Sequence, residues 1–178
     1  MHPYKRVCLR KSIVSLVIVS MSVSGLAMTA HGANPDPASV KSGQGGLVER
    51  GRYLADIAGC NDCHTPGYAQ NNGKAPRELL LTGVPMGWQG PWGTTYASNL
   101  RLALKDMSEQ EWMASAPLRR YRPPMPWWAL REMRKDDLRA LYRFIKSLGP
   151  GGEAMPPYLP PGQQPAGPVM RAPMPAPR

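Results

Sequence analysis

At 178 residues, with 22 Lys+Arg against 12 Asp+Glu and a formal charge of +10, the chain has room for one domain with appendages and is too short for a multidomain enzyme. Three cysteines close one bridge at most, which excludes a disulfide scaffold, and 21 prolines and 18 glycines keep much of the chain out of helix and strand. No Gly-rich loop follows an apolar run, which argues against an α/β nucleotide-binding fold.

Residues 1–33 have the three-part layout of a secretory signal. Lys5, Arg6, Arg10 and Lys11 come without an acid, an uncharged stretch rich in Val, Ile and Leu runs from Ile13 to Met28, and the small residues Ala30, Gly32 and Ala33 follow. A membrane-spanning helix needs about 20 apolar residues; this stretch is shorter and is interrupted by Ser15, Ser20, Ser22 and Ser24. The expectation is export to the periplasm, with an N-terminal anchor facing the periplasm as the alternative and membrane contact only if the segment is retained. Removal takes the charge from +10 to +6 and takes away Cys8, His2 and His31. The cysteines and histidine left are Cys60, Cys63 and His64.

Residues 34–45 read as a flexible, polar, Pro-bearing leader. Leu47, Gly51, Leu54 and Ala58 recur at helical spacing, which predicts an amphipathic helix over about 46–58. Residues 66–107 read as loop, broken by Gly67, Gly73, Pro76, Gly83, Pro85, Gly87, Gly90, Pro91 and Gly93; the indoles of Trp88 and Trp92 in it need a large partner to pack against. Ser108 with Glu111 fits a capping box opening a short helix that Pro117 stops. A Pro-bound loop over 121–128 follows, and then the best helix of the chain, about 135–148. There Leu138, Leu141, Tyr142, Ile145 and Leu148 make one apolar stripe, with Asp136 and Asp137 in the first turn and Gly149-Pro150 as the stop. Nothing alternates with period two for long enough to read as a strand. The predicted fold is all-α, with one domain over 46–150. The Pro-rich tail 151–178 is expected to be disordered and dispensable for chemistry.

Cys60-Asn61-Asp62-Cys63-His64 carries the chemistry. Cys-x-x-Cys-His is the attachment signature of c-type haem: two thiols reach the two vinyl groups on one edge of the porphyrin, and the next residue sets its imidazole under the iron. A structural zinc site wants four Cys/His ligands where this chain offers three, a thioredoxin-type pair wants a strand–helix setting, and a plain disulfide leaves His64 without a role. With no second histidine, a sixth iron ligand has to be a methionine, a lysine, an amine, water or nothing. Met86 and Met125 are the loop methionines. Met125 is the better placed of the two, because Pro123, Pro124 and Pro126 stiffen the chain around it.

The stretch GRYLADIAGCNDCHTP (51–66) resembles the haem-binding segment of class I cytochromes c, and is especially similar to single-haem modules found alone and in cytochrome subunits of periplasmic dehydrogenases. GTTYASNL (93–100), MPW (125–127) and DDLRALY (136–142) agree with it, and the resemblance covers about 46–150. It departs from the family at Arg101-Leu102, where Thr-Pro is usual. The resemblance implies a cytochrome c fold in which N- and C-terminal helices cross, with Gly51 allowing close approach to the Leu141/Tyr142 face. It also implies one covalent haem c linked by Cys60 and Cys63, with His64 as proximal and Met125 as distal iron ligand.

The function expected is electron transfer rather than catalysis, since a six-coordinate iron has no open position for a substrate. The partners expected are redox proteins, a dehydrogenase or a terminal oxidase with an acidic docking surface. Arg119, Arg120, Arg122, Arg131 and Arg134 around the Met125 loop would steer such a partner. Nucleic acid is a poor explanation for the charge of an exported protein. The alternatives are a haem enzyme or gas sensor with an open sixth position, and an obligate electron-transfer subunit of a dehydrogenase complex.

Overall fold

A computed structural model of the chain describes residues 43–172; the signal segment, most of the leader and the last residues of the tail lie outside the described residues. The chain runs α1 (Gln44–Ile57), α2 (Cys60–His64), a 3₁₀ turn at Arg77–Leu79, β1 (Val84–Gly90), β2 (Gly93–Ala97), α3 (Leu100–Ala103), α4 (Glu109–Ser115), α5 (Trp127–Glu132), α6 (Lys135–Leu148) and β3 (Val169–Arg171). No helix among the described residues is long and apolar enough to cross a membrane.

The expectation of an all-α fold is overturned: among the described residues six α-helices accompany a three-stranded mixed sheet of order β2-β1-β3, with β1 antiparallel to β2 and parallel to β3. The physical reason lies in the residues of the strands. Gly87, Gly90 and Gly93 carry no side chain from which a period of two could be read. In addition, the β1–β2 register shifts between Val84 and Gly87, which breaks any alternation that remains. β3 comes from the tail and is three residues long, too short for a pattern.

The tail is likewise not disordered through residue 172. It is tied to the domain by the Thr94–Leu159 backbone pair, by Gly87 N–H donating to the Pro168 carbonyl at 2.9 Å, and by Ala172 N–H donating to Gln89 at 2.9 Å. Composition favoured disorder because the tail has few apolar side chains. Backbone pairing with the sheet, which composition does not report, supplies the order.

The helices follow their sequence signals. Both bonds of the Ser108–Glu111 capping box form at the start of α4. In α6, Leu138, Leu141, Tyr142, Phe144 and Ile145 are buried, and α1 lies against this helix in the largest contact between helices. Gly51 makes the approach possible: a Cβ there would overlap the carbonyl oxygen of Ala140 and crowd the Cβ of Phe144. The face it meets is therefore Ala140/Phe144 rather than Leu141/Tyr142. Arg50 of α1 bridges to Asp137 of α6 at 3.0 Å, and the buried Trp112 of α4 donates its indole N–H to the Leu138 carbonyl at 2.9 Å. α6 thus packs against both α1 and α4. α2 hangs from the end of α1, and the Met125 loop sits between α4 and α5.

Candidate cofactor-binding site

α1 ends at Ile57 with Ala58 as its C-cap, and Gly59 takes a left-handed conformation (φ +70°) that costs other residues about 1 kcal/mol or more, so the chain turns at once into α2. The five residues of α2 are the Cys60–His64 motif. A polar network fixes this single turn. Asp56 accepts from the Asn61 amide at 2.8 Å and from the Tyr68 hydroxyl at 3.1 Å. The Asn61 side-chain oxygen accepts from the Thr65 hydroxyl at 2.7 Å, and the Thr65 hydroxyl oxygen accepts from Leu81 N–H at 2.8 Å. Asn61 and Thr65 are buried, so each of these groups needs its partner. The His64 carbonyl accepts from Gly83 N–H at 2.7 Å, which joins the turn to the segment leading into β1.

His64 is buried, and its Nδ1 lies 2.7 Å from the Ser98 carbonyl oxygen. A carbonyl can only accept, so Nδ1 carries the proton and Nε2 keeps its lone pair. Burial pushes the imidazole below its ordinary pKa while the Ser98 bond opposes the shift, leaving a neutral ring. Neutral imidazole with one nitrogen held by a backbone carbonyl is how proteins present histidine to a metal. Burial pushes the Cys60 thiol up to about 11, and burial, followed by the Asp62 charge, raises Cys63 as well. Neither sulfur is in a disulfide.

Cys60, Cys63 and His64 line one side of a cavity of about 300 Å³, at the lower end of the roughly 300–1,000 Å³ typical of cofactor and ligand sites. Leu100, Leu104, Leu141 and Ile145 give it an apolar wall, and Trp88 supplies an indole from the sheet. The expected packing problem of Trp88 is thereby located: it lines the cavity. Met125 lines the same cavity from the Pro-bound loop, whereas Met86 lies on β1 and does not line it. Thr95 Oγ1 donates to the Pro123 carbonyl at 2.6 Å and holds the Met125 loop to β2.

Three contributors escaped the sequence reading. Met133, which reads as core beside the last helix, lines the cavity and brings a second thioether to it. Ser98, which orients His64, contributes only its carbonyl, and a backbone oxygen leaves no trace in sequence. Tyr158 reaches the cavity from the tail; its being one of the few large apolar residues there was the available signal. Among the described residues no three His, Cys, Asp or Glu side chains converge to hold a metal ion. The nitrogen and sulfur donors at the cavity are one imidazole, two thiols and two thioethers. That set suits covalent haem better than a bare cation.

No protein-family model matches the chain, and neither does any curated protein or solved structure.

Proposed function

We propose that this chain is an exported single-haem electron carrier: haem c bound through Cys60 and Cys63, with His64 as proximal and Met125 as distal iron ligand. The carrying observation is that one cavity is lined by the two thiols, by an imidazole whose Nε2 is left free by the Ser98 bond, and by Met125. Cys60 and Cys63 would hold such a haem by adding their S–H groups across its two vinyl groups, sulfur to one carbon and proton to the other, an addition that consumes no oxidant. Bound haem supplies one-electron iron chemistry.

The chain's own residues do the rest. The Asp56–Asn61–Thr65 network holds the attachment turn, Ser98 fixes the imidazole tautomer, and the apolar wall excludes water. A methionine ligand favours ferrous iron and raises the potential. Arg119, Arg120, Arg122, Arg131 and Arg134 are all exposed, Arg119 and Arg122 line the cavity with Met125, and Trp128 is 53% exposed. This rim suits brief docking to an acidic redox protein.

The test is expression with a haem-attachment system. Mass spectrometry of the denatured chain should show one covalent haem, and a Cys60→Ala, Cys63→Ala double variant should show none. The ferrous protein should bind carbon monoxide slowly; immediate, complete binding would replace the carrier by a haem enzyme or gas sensor. Stable co-purification with a dehydrogenase would place the same chemistry in a bound subunit.

A further inference from the structure

The segment after α6 is built into the cavity rather than hung from the domain. At its start, the buried Arg101 donates to the carbonyls of Leu148 and Gly149, and Asn99 donates to those of Gly151 at 2.8 Å and Glu153 at 3.1 Å. In its middle, Thr94 N–H donates to Leu159 at 2.8 Å, Leu159 N–H donates back at 3.0 Å, and a Cβ on Gly93 would overlap the Leu159 carbonyl. At its end, β3 pairs with β1. Pro156, Pro157, Pro160 and Pro161 flank the middle point and lower the entropy lost in holding it.

What this arm presents is Tyr158. Its hydroxyl donates to the Trp92 carbonyl at 2.8 Å, its ring lies 3.7 Å from the Arg122 guanidinium carbon, and it lines the cavity. Arg122 belongs to the loop that carries Met125, and Met125 N–H donates to the Arg122 carbonyl at 3.2 Å. The loop is therefore gripped twice, by Thr95 from β2 and by Tyr158 from the arm.

We propose that Tyr158 is a positioning residue for Met125, acting through its stack on Arg122, so that the arm over residues 150–172 holds the loop that closes the cavity. The part concerning iron ligation rests on the haem reading; the grip on the loop does not.

The test uses the full chain with Tyr158→Ala, Tyr158→Phe and Arg122→Ala. Hydrogen exchange at the Met125 and Trp127 amides should rise about fivefold to tenfold in Tyr158→Ala, with the α1 and α6 amides unchanged. Tyr158→Phe keeps the ring and should restore protection of the loop to within about twofold of wild type. Arg122→Ala should loosen the loop as much as Tyr158→Ala, and the double variant should add nothing to either, as one shared contact requires. In haem-loaded protein, Tyr158→Ala should speed carbon monoxide binding to ferrous iron by a similar factor. Unchanged exchange in Tyr158→Ala, or additive effects in the double variant, overturns the proposal. A chain that takes up no covalent haem but shows the exchange pattern removes the haem reading and leaves the grip of Tyr158 on the loop standing.

Discussion

Arg101 donates Nε to the carbonyl oxygen of Gly149 at 2.6 Å, joining α3 to the residue that follows α6. The same guanidinium reaches Leu148 at 2.8 Å and Glu78 at 2.8 Å. It is buried and bonded to carbonyls of two segments, the end of α6 with the residues that follow it and the 3₁₀ turn at Glu78, capping the negative end of α6 and fixing where the arm departs. Arg101→Ala should lower stability by about 2–3 kcal/mol, the loss of several charge-assisted bonds, measured by urea unfolding. Arg101→Lys should recover little, because a single ammonium cannot fork to carbonyls that lie apart.

Met125 and Met133 both line the cavity, so the distal-ligand assignment has an internal control. In haem-loaded protein, Met125→Ala should open the ferrous iron to carbon monoxide, lower the potential and abolish the weak sulfur-to-iron band of the ferric spectrum. Met133→Ala and Met86→Ala should do none of these. The assignment is lost if Met133→Ala alone produces the change.

Gly51→Ala sets two effects against each other. Alanine favours a helix interior by about 1 kcal/mol over glycine, but here its Cβ would meet the Ala140 carbonyl, which cannot move without shifting α6. Overpacking costs about 1–3 kcal/mol, so the net change should be destabilising. Gly45→Ala, in the same helix with nothing within 4 Å, should be neutral or stabilising. Thermal unfolding of the two variants side by side reads the difference.

Thr65→Val removes the acceptor for Leu81 N–H and the donor to Asn61 while keeping the shape. Two buried partners lose their bonds, and about 2–3 kcal/mol of stability should go with them. Covalent haem yield should fall in the same variant, because the loosened segment is the attachment turn itself; mass spectrometry of the denatured product reports it.

Truncation after Gly152 should not be silent. Composition alone suggested a dispensable tail, but removal takes away β3, the Leu159 pairing and the Tyr158 wall. The shortened chain should unfold at lower urea concentration and bind carbon monoxide faster than the full chain. Covalent haem yield should stay near wild type, since Cys60, Cys63 and the network around them are untouched.

What the sequence made legible was local. A stripe at i, i+3, i+4 and i+7, two acids in a first turn, and a Ser-x-x-Glu box report α6 and α4 because a helix is specified by neighbours along the chain. The Cys60–His64 motif is legible for the same reason: its five consecutive residues form a single helical turn, which places Cys60, Cys63 and His64 on one cavity. The sheet was not, because Gly87, Gly90 and Gly93 hide its alternation and Val169 pairs with Gly87 from far along the chain. Met133 and Tyr158 were missed as cavity residues because lining a cavity is a property of the packed fold. Arg101 was visible as an anomaly, and only the carbonyls around it explain it.

The arm also gives the cavity an order of assembly. The attachment turn, the sheet hairpin, the Met125 loop and α6 are all made before residue 153, and the Tyr158 wall is added after them. The part of the chain that precedes Tyr158 therefore lacks this wall and leaves that side of the cavity open. Closure comes last, from the segment that emerges last. On the proposed haem reading, a chain halted before Tyr158 should accept haem as readily as the complete chain does, while holding its fold less firmly and keeping small molecules out less well.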